Sequence, residues 1–142
     1  MPSFTLQISN LKTVGPVVEI KIAVGNFLEE ILSRSRVKIP DPVNGLAMID
    51  TGATVTVVRE DLIKKLGLNP VGMVKINTSY STNVPCYEYL IRVLFPNNVI
   101  IETRAIGAPL LGQHIQFLIG RDILQNSVFI YNGQMNSFTI NF

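Results

Sequence analysis

Residues 47–58 read Ala-Met-Ile-Asp-Thr-Gly-Ala-Thr-Val-Thr-Val-Val, "AMIDTGATVTVV". Apolar and β-branched residues on either side favour strand, yet the middle of the run holds a carboxylate, Asp50, followed at once by Thr51 and Gly52. A carboxylate buried alone loses its water without compensation, so Asp50 needs partners. Gly52 permits a tight turn and the close approach of another backbone, while Thr51 offers a short hydroxyl whose methyl can pack. The stretch therefore reads as a strand, "GLAMI" (45–49), a turn that presents Asp50, and a second β-branched run.

Outward from this turn, short β-rich segments dominate. "FTLQIS" (4–9) alternates with period two, "VVEIKIAV" (17–24) is rich in β-branched residues, and "YEYLIRVLF" (87–95) and "VIIETRAIG" (99–107) flank "PNN" as an antiparallel hairpin. "SVFIYNGQMNSFTINF" (127–142) makes two more strands around Asn132-Gly133, a strong turn dipeptide. Two helices are expected. "REDLIKKLGL" (59–68) has acids in its first turn, lysines near its end and Gly67 where a left-handed cap belongs; "RDILQN" (121–126) allows one or two turns. "FLEEILSRSR" (27–36) offers a third, which its Ser and Arg residues keep from being long. Residues 1–142 are read as one mostly-β domain, with 1–12 a flexible or pro-like segment.

Composition narrows the function. The 142 residues suit one core; they are 47% hydrophobic and only 15% charged, with mean hydropathy +0.34, against roughly a quarter charged in an average soluble protein. Such a chain has more apolar surface than a monomer of this size hides, and membrane or oligomer must account for it. No run reaches the roughly 20 apolar residues of a spanning helix; "VGPVVEIKIAVG" (14–25) is broken by Pro16, Glu19 and Lys21. "MPSFTLQISN" lacks the basic start and apolar stretch of a secretory signal, so a cytoplasmic location is the expectation. The single Cys86 cannot form an internal disulfide and reads as a small buried or half-buried hydrophobe. Arg34, Arg36 and Lys38 form the one local basic cluster, without interleaved aromatics; it reads as a solvated loop or a substrate-facing charge, not a nucleic-acid surface.

Two separated motifs carry a resemblance to a known family. "MIDTGATVTVV" (48–58) and, about seventy residues later, "FLIGRDIL" (117–124) resemble the paired signatures of the retroviral-type, or retropepsin-like, aspartic proteases, including cellular and prokaryotic members. Between them, "VKINTSYSTNVPCYEYLIRV" (74–93) looks like the flap hairpin of that family, its polar tip near Thr78 to Asn83. Asp-Thr-Gly alone is a weak match; the ordered set over residues 15–142 is specific. The resemblance implies an all-β acid-protease barrel with one or two short helices, an obligate homodimer, and an aspartic endopeptidase without metal or other cofactor that acts on an extended peptide or protein substrate. It implies no nucleic-acid or membrane partner.

The family's chemistry uses two carboxylates sharing a proton across a water; one takes the water's proton as it attacks, the other donates to the carbonyl oxygen. This chain supplies one such aspartate: Asp41, Asp61 and Asp122 precede neither Thr-Gly nor Ser-Gly. By resemblance, Asp50 meets its copy on a twofold axis, Thr51 interlocks there with its counterpart, Gly52 turns its backbone to substrate, and Gly120 lies where a side chain would strike the catalytic loop. Ala53, Thr54, Ser79, Tyr80 and Leu118 are the expected substrate-binding residues, with Leu118, Val57 or Ile115 as apolar walls that favour hydrophobic side chains beside the cut. Two departures stand out. Thr54 occupies the position where viral members carry an acid for the Arg121 equivalent, so Arg121 needs a carbonyl or another acid. "INTSYSTN" has no glycine, which makes for a stiffer flap.

Duller readings compete. Asp122 reads as a helix-capping or Arg-paired structural acid, His114 in "LGQHIQ" as structural or substrate-adjacent rather than a metal ligand, and Tyr87 and Tyr89 as packing residues on one strand face. The serines lack the setting of a nucleophile elbow. Against the protease stand two alternatives: a weak or inactive dimeric peptide-binding module, and a precursor that needs its N-terminus trimmed.

Overall fold

A computed structural model describes residues 1–142. In chain order the elements are β1 (Ser3–Gln7), α1 (Leu11–Val14), β2 (Val17–Val24), α2 (Asn26–Arg34), β3 (Val43–Ile49), β4 (Val57–Arg59), α3 (Glu60–Lys65), β5 (Gly72–Ile76), β6 (Val84–Phe95), β7 (Val99–Ala108), β8 (Phe117–Ile119), α4 (Arg121–Leu124), β9 (Val128–Asn132) and β10 (Ser137–Asn141). The larger sheet runs β2-β3-β8-β4-β7-β6-β5, and a further β2–β6 pairing closes six of those strands into a barrel, leaving β5 outside it. The smaller sheet, β1-β10-β9, joins the two ends of the chain. The mostly-β barrel expected from the motifs is what the chain forms, and no helix is long and apolar enough to cross a membrane.

Side-chain alternation explains the barrel. Along β2, Ile20, Ile22 and Val24 turn inward while Glu19 and Lys21 face out; along β6, Ile91, Val93 and Phe95 do the same. They meet Ala47 and Ile49 of β3, Val58 of β4 and Phe117 and Ile119 of β8 in one continuous core. Each large aliphatic or aromatic side chain so buried contributes about 1.5–3 kcal/mol, and register follows because a one-residue slip would turn this set to solvent.

Two expectations are corrected, and the third helix is present. Residues 1–12 do not stand apart: β1 pairs with β10 from Ser3↔Asn141 to Gln7↔Ser137, Leu11 is fully buried, and the Phe4 ring lies 6.3–6.4 Å from those of Phe95, Phe138 and Phe142. The apolar side chains of an alternating strand found a partner at the far end of the chain. The segment at 27–36 contributes α2, at nine residues the longest helix. Its isolated propensity is modest, and tertiary contacts hold it: the Asn26 amide donates to Glu102 Oε2 at 2.7 Å and Glu29 pairs with Arg92, while Glu30 and Arg34, one turn apart on the helix, pair at 3.2 Å. The C-terminal hairpin turns over 133–136, with Asn136 rather than Gly133 at positive φ.

The α3 terminus follows its sequence closely. Gly67 has φ +64°, its N–H bonds to the Lys64 carbonyl at 3.0 Å and that of Leu68 to Ile63 at 3.4 Å, a Schellman ending.

Candidate active site

β3 and β8 run parallel, with Ala47, Met48 and Ile49 opposite Phe117, Leu118 and Ile119. The ladder continues one residue further, as the Asp50 amide donates to the Ile119 carbonyl at 2.9 Å. There the chain turns: Gly52 N–H donates to Asp50 Oδ1 at 2.9 Å and Ala53 N–H to the Asp50 carbonyl at 3.1 Å. A side chain accepting from the amide two residues on is how aspartate fixes a turn. Asp50 is half-buried, Thr51 and Gly52 are exposed, and no Lys or Arg forms an ion pair with Asp50.

The second motif braces this loop from behind. Arg121 N–H donates to the Ala53 carbonyl at 2.9 Å and Asp122 N–H to that of Thr54 at 3.2 Å. Gly120 sits against the Val55 backbone so closely that a Cβ would lie 2.6 Å from its carbonyl carbon and oxygen. The requirement for glycine is steric, since its φ of −91° suits any residue. The Arg121 guanidinium reaches the Thr51 carbonyl at 2.7 Å and Thr54 Oγ1 at 3.1 Å, so the cation that lacks an acid at position 54 is satisfied by a carbonyl and by the very hydroxyl that replaces the acid.

The remaining aspartates are engaged elsewhere. Asp41 lies 4.0 Å from Lys38, and Asp61 lies 2.6 Å from Arg59. Asp122 neither caps α4 with its side chain nor pairs with an arginine: its carboxylate accepts from Thr56 N–H at 3.0 Å, Thr56 Oγ1 at 2.9 Å and Thr103 Oγ1 at 3.2 Å. Thr56 and Thr103 were not singled out in the sequence. A lone polar residue inside the β-branched run 55–58 was the available signal for Thr56; nothing local marks Thr103.

Leu118 is half-buried and Ile119 fully buried, so the two divide between surface and core. Val57 and Ile115, read as pocket walls, are instead 9% and 1% exposed, covered by the chain's own core. Ser79 and Tyr80 sit at the tip of the hairpin formed by β5 and β6, joined to the Asp50 loop by no hydrogen bond, and Tyr80 is 98% exposed. In place of glycine the tip uses side-chain bonds: Thr78 Oγ1 accepts from Ser81 N–H at 3.0 Å and Tyr80 N–H at 3.3 Å, and Asn77 Oδ1 accepts from Asn83 N–H at 3.0 Å, with Asn83 at φ +54°. Lower on β6, burial pushes the Cys86 thiol and the Tyr89 phenol up, and the Glu60 charge adds to both. Tyr87 is exposed and Tyr89 half-buried, so only the second packs. His114 is exposed, and no group of three or more His, Cys, Asp or Glu residues is placed to hold a metal. A cleft of about 760 Å³ lies among Glu19, Lys21, Leu46, Leu94 and Gln116 and does not include Asp50.

A family described as aspartyl protease matches residues 36–123, more than half of the chain, with the whole of the first motif and all but the last residue of the second. No curated protein matches in sequence. Among solved structures, a retropepsin-like aspartic protease from Rickettsia conorii superposes with TM-score 0.52 at 15% identity, over 100% of this chain and 95% of that one. The EIAV protease in complex with the inhibitor HBY-793 gives TM-score 0.48 at 21% identity, over 78% of this chain and 86% of that one. The retroviral protease-like domain of Ddi1 from Leishmania major gives 0.47 at 14%, over 89% of each. The likeness to the Rickettsia protein shows that the barrel is retropepsin-like.

Proposed function

The chain belongs to the aspartyl protease family, and from that premise we propose that two copies assemble into an endopeptidase whose reacting carboxylates are the two Asp50 side chains, one from each. One observation carries the proposal: Asp50 is the single aspartate displayed on a braced, half-open turn, while Asp41, Asp61 and Asp122 are committed to other partners. A lone carboxylate in that position supplies half of an acid–base pair.

In the assembled site, two like charges about 3 Å apart cannot both ionise, so the pair holds one proton. The ionised member takes a proton from the water between them as the water oxygen attacks the peptide carbonyl carbon. The protonated member gives its proton to the carbonyl oxygen. The carboxyl that took the water's proton then gives it to the amide nitrogen while the other, now ionised, takes a proton from a diol hydroxyl; the C–N bond breaks to acid and amine, and the pair again holds one proton. Thr51, Gly52 and Gly120 fix the turn; Ala53, Thr54, Leu118 and, from the hairpin tip, Ser79 and Tyr80 bind an extended peptide in strand-like fashion.

The test is cleavage of casein from pH 3 to 7 by wild type and Asp50→Asn, with oligomeric state measured on the same samples. Activity lost in the variant while the dimer persists is the expected result. A folded wild-type dimer that cuts nothing would favour a peptide-binding module, and a stable, active monomer would reject the shared site.

A further inference from the structure

The outer wall of the barrel carries a groove of about 760 Å³, and we propose that it is a second peptide-binding site, one that holds a stretch of extended chain with a basic and an acidic residue two positions apart. Glu19 and Lys21 stand on its floor, both exposed, and neither pairs with the other or with any further charge. Apolar side chains flank them on the same face: Leu46 opposite Glu19 on β3, Leu94 opposite Lys21 on β6, and Ile100 opposite Leu94 on β7. The walls are held by bonds of their own. Gln116 Oε1 accepts from the Leu46 amide at 2.7 Å and its Nε2 donates to the His114 carbonyl at 3.2 Å. Asn97 Nδ2 donates to the Ser3 carbonyl at 2.7 Å and so fixes the turn 96–98 at the other side.

The spacing of the two charges selects the ligand. Residues two apart on a strand lie about 6.6 Å from each other on one face, and an extended peptide repeats that interval. Lys-Xaa-Glu or Glu-Xaa-Lys laid along β2 therefore sets a cation over Glu19 and an anion over Lys21, while apolar neighbours rest on Leu46, Leu94 and Ile100. A free amino acid does not fit, since a single carbon separates its two charges. Lys21 stands opposite Asn44, which precedes Asp50 by six residues on β3, roughly 20 Å along the strand. The binding itself is independent of Asp50, but its use rests on the endopeptidase reading: the groove holds substrate at a point no nearer than about six residues from the cut.

The test has a binding arm and a cleavage arm. Binding is read by fluorescence anisotropy of labelled acetyl-Leu-Lys-Thr-Glu-Leu-amide and of its Glu-Thr-Glu counterpart, on full-length Asp50→Asn, used so that neither peptide is cut, with and without the added surface change Glu19→Lys. The Lys-Thr-Glu peptide should bind and be weakened about tenfold by Glu19→Lys, while the Glu-Thr-Glu peptide should bind Glu19→Lys more tightly than the parent, because attraction and repulsion exchange places. A Lys-Thr-Glu peptide that fails to bind, or a preference that Glu19→Lys leaves unchanged, would overturn the proposal. In wild type, excess Lys-Thr-Glu peptide should raise the KM for casein about two- to fivefold at constant kcat and should have no such effect on Glu19→Lys. An equal effect on both, or none on wild type, would reject use of the groove by substrate. Should the wild type cut no casein, the reading of Asp50 fails, while anisotropy still decides whether the groove takes the peptide.

Discussion

Arg121 and Gly120 are neighbours held by unlike forces. Arg121 is satisfied by polar reach, with two neutral acceptors on the loop it supports. Gly120 is held by the absence of a side chain, since the Val55 backbone fills the space a Cβ would need. Because the obstruction is backbone, it yields only if the loop moves. Gly120→Ala should therefore cost about 1–3 kcal/mol, read as a lower urea midpoint, and should depress casein cleavage below what the stability loss explains. Both motif residues were legible in the sequence. What replaced the missing acid at position 54 was not, because a guanidinium can reach any acceptor within its length and only the folded loop shows that the Thr51 carbonyl lies there.

At the scale of elements, strands with strict alternation and hairpins with short turns were readable, as was α3 with its acidic start and Gly67 ending. The Arg59–Asp61 pair at the start of α3 is bidentate, at 2.6 and 2.9 Å, and holds the Asp61 carboxyl below its ordinary range. A carboxyl lowered on folding stabilises the fold above its unfolded pKa of about 4, and that contribution is lost as pH falls through the folded value. Asp61→Asn should thus be slightly less stable than wild type at pH 7, and the two urea midpoints should converge as pH falls below about 4; the effect is small because the pair is exposed. The hairpin tip gives a second prediction. Thr78→Val removes the acceptor for two amides, each bond contributing about 0.5–1.5 kcal/mol locally. Exchange at residues 80 and 81 should quicken while the global midpoint stays, since the tip is exposed. α2 was the element least visible in the sequence, because its supports, Glu102 and Arg92, lie on strands some seventy residues away in the chain.

For the whole molecule, the apolar excess read from composition has a visible counterpart in exposed Phe27, Leu111, Val128, Ile130 and Met135. The smaller sheet sets another expectation. Deleting residues 1–10 removes β1 and the packing of Phe4 and Leu6 against the core, a loss of roughly 3 kcal/mol or more. The truncated chain should melt well below the full one and gain no casein cleavage; a rise in cleavage would revive trimming as an activating step. The sequence by itself determined the β-rich class, the Asp50 turn and its Gly120 counterpart, because those depend on alternation, on glycine where backbones crowd, and on motifs that occupy a few adjacent positions. Only the tertiary structure decided that the chain's two ends share a sheet, that Val57 and Ile115 belong to the core, and that Asp122 serves Thr56 and Thr103. Those pairings join residues up to 138 positions apart, as Ser3 joins Asn141, and partners at such separation are chosen by the closing of the barrel, which no local pattern of side chains records.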